Sequence, residues 1–133
     1  MIQFTVPGPP VPQSRPRVFR NGGVKTDSDK VANYKQHVQW FAPAKKLDGP
    51  LRLQVCAYLP KPKKDKLSGY HSKRPDLDNI VKAILDALNG KLFADDGQVA
   101  EIVARKMTDE TPRTVIRIEQ LSGNSGQFEL SPT

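Results

Sequence analysis

The sequence predicts an α/β fold (α+β mixed), a two-layer single domain in which two main helices pack on a mixed sheet. Three observations support this prediction. Apolar residues recur with strand period in four segments and with helical period in two, the segments follow the order βαβαββ, and 133 residues suffice for one core but not for two. We therefore predict one domain over residues 1–121 and a flexible C-terminal tail over the polar, aperiodic residues 122–133.

The four predicted strands are segments in which apolar and polar residues alternate. Residues 2–6 give a short first strand that a Pro-Gly-Pro-Pro run stops. The cleanest alternation covers residues 51–59, and residues 99–107 and 114–119 give two further strands joined by a polar turn. The single cysteine, Cys56, lies among apolar neighbours in the second of these strands, and we expect it to be a small core residue.

The two predicted helices have apolar residues at helical spacing. The first covers residues 29–41, and the residues expected to face the core are Val31, Tyr34, Val38 and Phe41. Trp40 falls off that stripe, and we expect it to contact the sheet or, as an alternative, a second subunit. The second helix, residues 77–89, carries a stronger apolar face, with Asp76 as its natural N-cap and Gly90 as its C′ residue.

Positive charge exceeds negative charge, with 21 lysines and arginines against 14 aspartates and glutamates and a net charge of +7. Such a surplus favours a polyanionic partner, because a basic face releases condensed counterions when it docks on nucleic acid. Two loop-like segments, residues 11–25 and 60–74, concentrate this charge. We predict that they bind DNA rather than being only solvated, through Arg15, Arg17, Arg20, Lys61, Lys63, Lys64, Lys66, Lys73 and Arg74.

The compartment is predicted from what the sequence lacks. A single cysteine cannot form an intrachain disulfide, which is typical of reducing surroundings. The sequence begins without a signal-like leader, and no apolar segment approaches membrane-spanning length. We therefore expect a cytoplasmic protein without membrane contact, and no motif in the sequence predicts a small-molecule cofactor.

Carboxylates concentrate at two places around the second helix. Asp78 and Lys82 are four residues apart and share one polar stripe, and Asp76 lies beside them at the first turn. A second acidic cluster, Asp95-Asp96, follows the helix. An ordinary structural role is the alternative for the first cluster, because Asp76 can cap the helix and Asp78 can pair with Lys82 on its surface.

The two acidic clusters are separated by a helix that moves the chain by about 20 Å, so they are not automatically close in one subunit. They can meet if the strand after Asp96 runs back beside the helix start, or if a partner subunit contributes. Converging carboxylates would suit Mg²⁺ or Mn²⁺, which prefer hard oxygen ligands. This predicts metal-assisted phosphodiester cleavage, with Lys82 or a second ion offsetting charge on the phosphorane.

Residues 74–99 resemble the signature of the RusA family of Holliday junction resolvases. The matching runs are Arg-Pro-Asp-Leu-Asp-Asn-Ile-Val-Lys-Ala at 74–83, Asp-Ala-Leu at 86–88 and Asp-Asp-Gly-Gln-Val at 95–99. The chain departs from the family in its first loop, where Pro-Gln-Ser-Arg-Pro-Arg stands at 12–17, and before Asp76, where Pro75 replaces a second arginine.

The resemblance implies a Mg²⁺-dependent endodeoxyribonuclease of DNA recombination and repair, often associated with prophages. It implies a homodimer that nicks two opposed strands of a four-way junction, and two equal cuts on a two-fold junction are consistent with two equal sites. By the same resemblance, Asp76, Asp78 and Asp96 are the catalytic carboxylates that hold the metal. Lys82 is the essential lysine, and Asp95 is a neighbour rather than a ligand.

Two other functions stay open on the sequence alone. The first is a non-catalytic basic DNA-binding module, whose aspartates only cap and solvate a helix. Asp96 argues against it, because this residue has no capping role in the second helix. The second is a metal-dependent nuclease for flaps or other branched DNA, which shares the chemistry and differs only in substrate.

Overall fold

The observed order of elements confirms the predicted fold class. The computed structural model describes residues 1–13, 17–18, 22, 24–25, 29–61 and 69–122. In that part of the chain, a four-stranded mixed sheet packs against two helices. The elements are β1 (Ile2–Pro7), β2 (Arg17–Val18), β3 (Val24–Lys25), α1 (Asp29–Phe41), β4 (Leu51–Pro60), α2 (Leu77–Leu88), a 3₁₀ helix (Asp96–Gln98), β5 (Val99–Asp109) and β6 (Arg113–Gln120).

The strands of the main sheet follow the order β1-β6-β4-β5. β6 is antiparallel to both of its neighbours, whereas β4 and β5 are parallel. A parallel pair needs a long crossover between its strands, and α2 lies in that crossover. The chain therefore runs up α2 and returns along β5 in the opposite direction, which leaves β1 and β5 as the two edges of the sheet.

The core lies between the helices and one face of the sheet. On β4 the buried residues alternate as predicted, at Leu51, Leu53, Val55, Ala57 and Leu59. The amphipathic face of α2 supplies Ile80, Val81, Ala83, Ile84, Ala87 and Leu88, and α1 supplies Val31, Tyr34 and Val38. The pleat of β4 and the helical stripe of α2 thus bury one continuous apolar cluster.

One polar contact crosses this core. The side-chain oxygens of Tyr34 and Thr114 lie 2.7 Å apart, and this hydrogen bond joins α1 to β6. Burial raises the pKa of the Tyr34 hydroxyl to about 12. The phenol therefore stays neutral over the ordinary pH range, and the hydrogen bond satisfies both buried groups.

The expected positions of three side chains were wrong. Cys56 is only half-buried, because it points to the face of β4 opposite the core. Trp40 does not contact the sheet, since 81% of it is exposed. Phe41 is 37% exposed and packs edge-on against His37, with ring centroids 5.1 Å apart. Both aromatic residues lie at the end of α1, where the helix extends beyond the sheet residues that it covers.

The predicted boundaries also need correction. The basic segment 11–25 was expected to be a loop, but β2 and β3 form a short antiparallel ladder within it. α2 ends at Leu88 rather than at residue 89, and Gly90 has the positive φ of a C′ residue. β4, β5 and β6 each extend past their predicted ends because the ladder continues where the apolar alternation stops. The predicted tail lies outside the described residues from position 123 onwards.

Candidate functional site

The start of α2 presents two exposed carboxylates, Asp76 and Asp78. Asp76 occupies the N-cap position as predicted, but its side chain makes no capping hydrogen bond. Among the described residues, Asp78 and Lys82 form no ion pair with each other or with a third group. Neither structural role considered for this cluster is therefore present, and both carboxylates are available to a ligand at a helix N-terminus.

The position of Asp76 depends on Lys106, near the end of β5. The Lys106 ammonium donates to the carbonyl oxygens of Lys73, at 2.6 Å, and of Pro75, at 2.8 Å. The amide of His71 donates to the carbonyl of Lys106 at 3.0 Å, so the chain before α2 is held against the edge of β5 on both sides of this residue. The Arg74-Pro75 peptide in this segment is cis.

The second acidic cluster is organised by Gln98. Its side-chain oxygen accepts from the amides of Ala94, at 2.9 Å, and Asp95, at 3.2 Å. Its side-chain nitrogen donates to the carbonyls of Leu47, at 3.2 Å, and Gly49, at 3.0 Å. One side chain thus links the acidic turn to the loop before β4. The role of Gln98 was missed by the sequence analysis, although its place after the acidic pair in the family signature was a usable signal.

The two aspartates of this turn differ in their surroundings. A Cβ built on Gly97 would lie 3.0 Å from a carboxylate oxygen of Asp95, so Asp95 folds back over its own turn and leaves room only for glycine. Asp96 is exposed and has no partner among the described residues. This contrast favours Asp96 over Asp95 as the residue free to bind a ligand.

We expect Gln98→Ala to lower the free energy of unfolding by about 1–3 kcal/mol, since four hydrogen bonds are lost and each contributes roughly 1 kcal/mol or less. Urea denaturation measures this difference. The matched control is Gln120→Ala, which removes a single hydrogen bond to the same loop, at Asp48, and should cost much less. Equal effects of the two substitutions would contradict the anchoring role of Gln98.

The two acidic clusters lie at opposite ends of α2. The 12 residues of this helix span about 18 Å. Along β5, Val99 is beside the acidic turn and Lys106 is beside Pro75, which corresponds to about 23 Å of strand. The strand after Asp96 does run back beside the helix start, but Asp96 lies at its far end. Accordingly, no group of three or more potential metal-ligating side chains exists within the described part of one protomer.

The predicted DNA-binding residues are only partly described. Lys61, Lys73 and Arg74 are exposed, with the last two directly before Asp76. Only the backbone of Arg17 is described, in β2. The other predicted contacts lie outside the described residues: Arg15, Arg20, Lys63, Lys64 and Lys66.

A further basic surface lies beside the acidic turn. Lys45 and Lys46 are exposed on the loop that Gln98 anchors, and Lys91 is on the adjacent turn after α2. The exposed Trp40 lies nearby on α1, where the Lys91 ammonium donates to the carbonyl of Gln39. The sequence analysis missed this surface because its three lysines are separated along the chain and only the fold brings them together.

Comparisons with known proteins agree with these features. A family described as endodeoxyribonuclease RusA matches residues 7–119, which include all four predicted catalytic residues. The chain is 36% identical to the uncharacterized protein YqaN of Bacillus subtilis (strain 168), over 91% of this chain and 97% of that protein. None of the helices in the described ranges is both long and apolar enough to cross a membrane.

Two phage proteins named crossover junction endodeoxyribonuclease rusA are also similar. The protein of Enterobacteria phage HK97 is 36% identical over 72% of this chain and 73% of its own length. The protein of Lactococcus phage r1t is 32% identical over 54% of this chain and 56% of its own length. The similarity to named nucleases therefore extends well beyond the short motif around α2.

Proposed function

Because the chain belongs to the RusA family of endodeoxyribonucleases, we propose that it resolves four-way DNA junctions in recombination and repair, by Mg²⁺-dependent hydrolysis in a homodimer. The observation that carries this proposal is the state of Asp76, Asp78 and Asp96. All three are exposed, and none is used by the described part of the fold as a cap or an ion pair. The names of the two phage relatives supply the substrate class.

The donor set fits Mg²⁺, with Mn²⁺ as a substitute, because carboxylate oxygens are the ligands that these hard cations prefer. Asp76 and Asp78 would hold the ion from one helix start, and Asp96 would complete the set. When bound, the ion supplies a polarised phosphate and a water of lowered pKa. The helix N-terminus adds partial positive charge behind the same phosphate.

A composite site is the arrangement that reconciles this donor set with the fold. About 20 Å separates Asp96 from Asp76 within one chain. A two-fold dimer can bring the Asp96 of each subunit to the helix start of the other, which gives two equal sites. The prediction that a partner subunit contributes is therefore the alternative we retain, and Asp96 is assigned to the site across the interface.

Lys82 is assigned to the phosphate. It lies one helical turn beyond Asp78 and has no partner among the described residues. Its ammonium can offset charge on the phosphorane and the leaving oxygen, which a purely structural lysine would not do. Asp86, one turn further on, is 3.4 Å from Lys35 of α1 and belongs to helix packing instead.

We expect Lys82→Met to keep the fold and lower the single-turnover rate on a junction by about 10²–10³-fold, the usual effect of removing one group that stabilises developing charge. Lys35→Met is the matched control, because it removes a helix-surface lysine that pairs with an α2 aspartate. A rate for Lys82→Met equal to that of the control would remove Lys82 from the chemistry.

DNA contacts are assigned to the basic residues on both sides of the carboxylates. Lys73 and Arg74 precede Asp76, and Lys45 and Lys46 flank the acidic turn. Phosphate contacts at these positions would hold a polyanion against carboxylates that otherwise repel it. The exposed Trp40 offers a surface on which an unpaired base at a junction can stack.

The experiment that tests the proposed function compares a synthetic four-way junction with linear duplex and flap DNA of the same sequence. With Mg²⁺ we expect paired, symmetric nicks in the junction and little cleavage of the duplex. Preferred cleavage of flaps would establish the other nuclease function. Tight junction binding without cleavage in Mg²⁺ or Mn²⁺ would establish the non-catalytic binding module.

A further inference from the structure

We propose that β5 is the dimerisation strand, and that it pairs antiparallel with β5 of a second copy across a two-fold axis at Val103. The proposal deepens the proposed function, on which it rests only for the consequence that the partner completes the nuclease site. It is carried by four features of the described residues: a free backbone edge, exposed apolar side chains, a self-complementary register and the position of Asp96.

The backbone edge of β5 is free over residues 100–104. The carbonyl of Lys106 and the amide of Thr108 bond to His71 and Gly69, so the polar groups of these two residues point away from β4. Register with β4 is regular from position 101 onwards, so the outward direction alternates back to Ala104 and Ile102. Among the described residues, nothing bonds to the outward amides and carbonyls of that pair. Such an open edge is a template for another strand.

Exposed apolar side chains concentrate along this edge. Ile102 is 48% exposed and Val103 is 44% exposed, and they project to opposite faces of the sheet. Tyr70, which bridges to β5 at Met107, is 76% exposed. Only three other large hydrophobic residues in the described part of the chain are comparably exposed, namely Met1, Trp40 and Phe41. A second copy would remove Ile102, Val103 and Tyr70 from water together.

The sequence around Val103 is complementary to itself when reversed. In an antiparallel pair centred on Val103, the two Val103 side chains are directly opposed, and Ile102 faces the partner's Ala104. Glu101 then faces the partner's Arg105 on the other side of the axis. Arg105 is exposed and has no ion pair among the described residues, while Arg52 holds Glu101 at the strand edge with a 2.6 Å contact. Opposite charges, a large-small pair and four backbone hydrogen bonds therefore coincide in one register.

The same register completes the nuclease site. Antiparallel pairing places the start of one β5 beside the end of the other. The end of β5 is where Lys106 holds Pro75 and therefore Asp76, and the start of β5 follows the turn that carries Asp96. Pairing through β1, the other edge strand, would leave Asp96 on the wrong side of the sheet. β1 also has no charged residue that could select a register.

The test is the molecular mass of the protein without DNA or metal, measured by sedimentation over a concentration series. We expect the parent to have twice the chain mass of 14.8 kDa. Val103→Lys and Arg105→Glu each place like charges across the axis, and each should raise the dimer dissociation constant by about 10²-fold or more. The double variant Glu101→Arg/Arg105→Glu restores opposite charges and should dimerise again. Thr5→Lys, on the opposite edge strand, is the matched control and should stay dimeric.

Thermal melts of each variant verify that the monomers are folded. A monomeric parent, a dimeric Val103→Lys or a charge swap that fails to restore the dimer would each overturn the proposal. Junction nicking, assayed separately, distinguishes this failure from failure of the proposed function. Parental nicking by a monomeric Val103→Lys would overturn the completion of the site by the partner and leave the nuclease intact. A parent that dimerises as described but nicks no junction would support the interface and overturn the function.

Discussion

Single substitution of Asp76, Asp78 or Asp96 by asparagine is expected to lower Mg²⁺-dependent junction cleavage by about 10³-fold or more. The reason is that metal-assisted stabilisation of the transition state supplies several kcal/mol, and each 1.36 kcal/mol changes a rate tenfold. Junction binding should be unchanged or tighter, because each substitution removes a negative charge from a surface that receives a polyanion. Single-turnover nicking and a binding titration at the same salt concentration measure the two effects.

Asp95→Asn and Asp86→Asn are the controls for this prediction. Asp95 folds back over Gly97, and Asp86 pairs with Lys35, so both lie near the site without a proposed role in it. Each control should keep most of the cleavage rate. Full activity of any one of the three test variants at saturating Mg²⁺ would exclude that aspartate from the site. Equal loss in Asp95→Asn would show that the acidic turn acts as a pair.

Mixing two inactive variants is expected to restore cleavage. In a composite site, a dimer of Asp76→Asn with Asp96→Asn has one site in which both aspartates are intact and one in which both are replaced. Random exchange makes half of the dimers mixed, so about one quarter of the parental sites should be active again. A site made within one chain gives no such recovery, because every site in the mixture then lacks one aspartate.

The control for the mixing experiment is a mixture of Asp76→Asn with Asp78→Asn. These two aspartates lie on the same helix start, so every site in the mixed dimer lacks one of them whichever way the site is built. Subunits must be exchanged by unfolding and refolding together, and nicking is compared before and after exchange. Recovery in the first mixture and none in the second would establish a shared site. Recovery in neither would place Asp96 outside it or within its own chain.

Local sequence patterns predicted the fold class and the helix start that carries Asp76, Asp78 and Lys82. Strand alternation in β4 and the helical stripe of α2 each report which side of an element is buried, and this depends on residues only a few positions apart. Positive φ at Gly90 is another local property, because only glycine enters that region at little cost. The family signature lies in the same short stretch of chain and could be identified without the structure.

Contacts between residues distant in sequence were decided by the tertiary structure. Gln98 bonds to Leu47 and Gly49, about fifty positions away, and Lys106 bonds to Pro75, about thirty away, so no periodicity reports either one. The same holds for Cys56, whose apolar neighbours indicated burial although the pleat turns it to the open face.

The separation of the two acidic clusters shows the division most clearly. By itself, the sequence determined which carboxylates are candidates and that a helix of about 20 Å lies between them. Only the tertiary structure decided that β5 returns along α2 with Asp96 at its far end and that the edge of β5 around Val103 is open. The physical reason is that residue spacing fixes distance along a helix or strand, whereas the packing of one element against another fixes which ends meet.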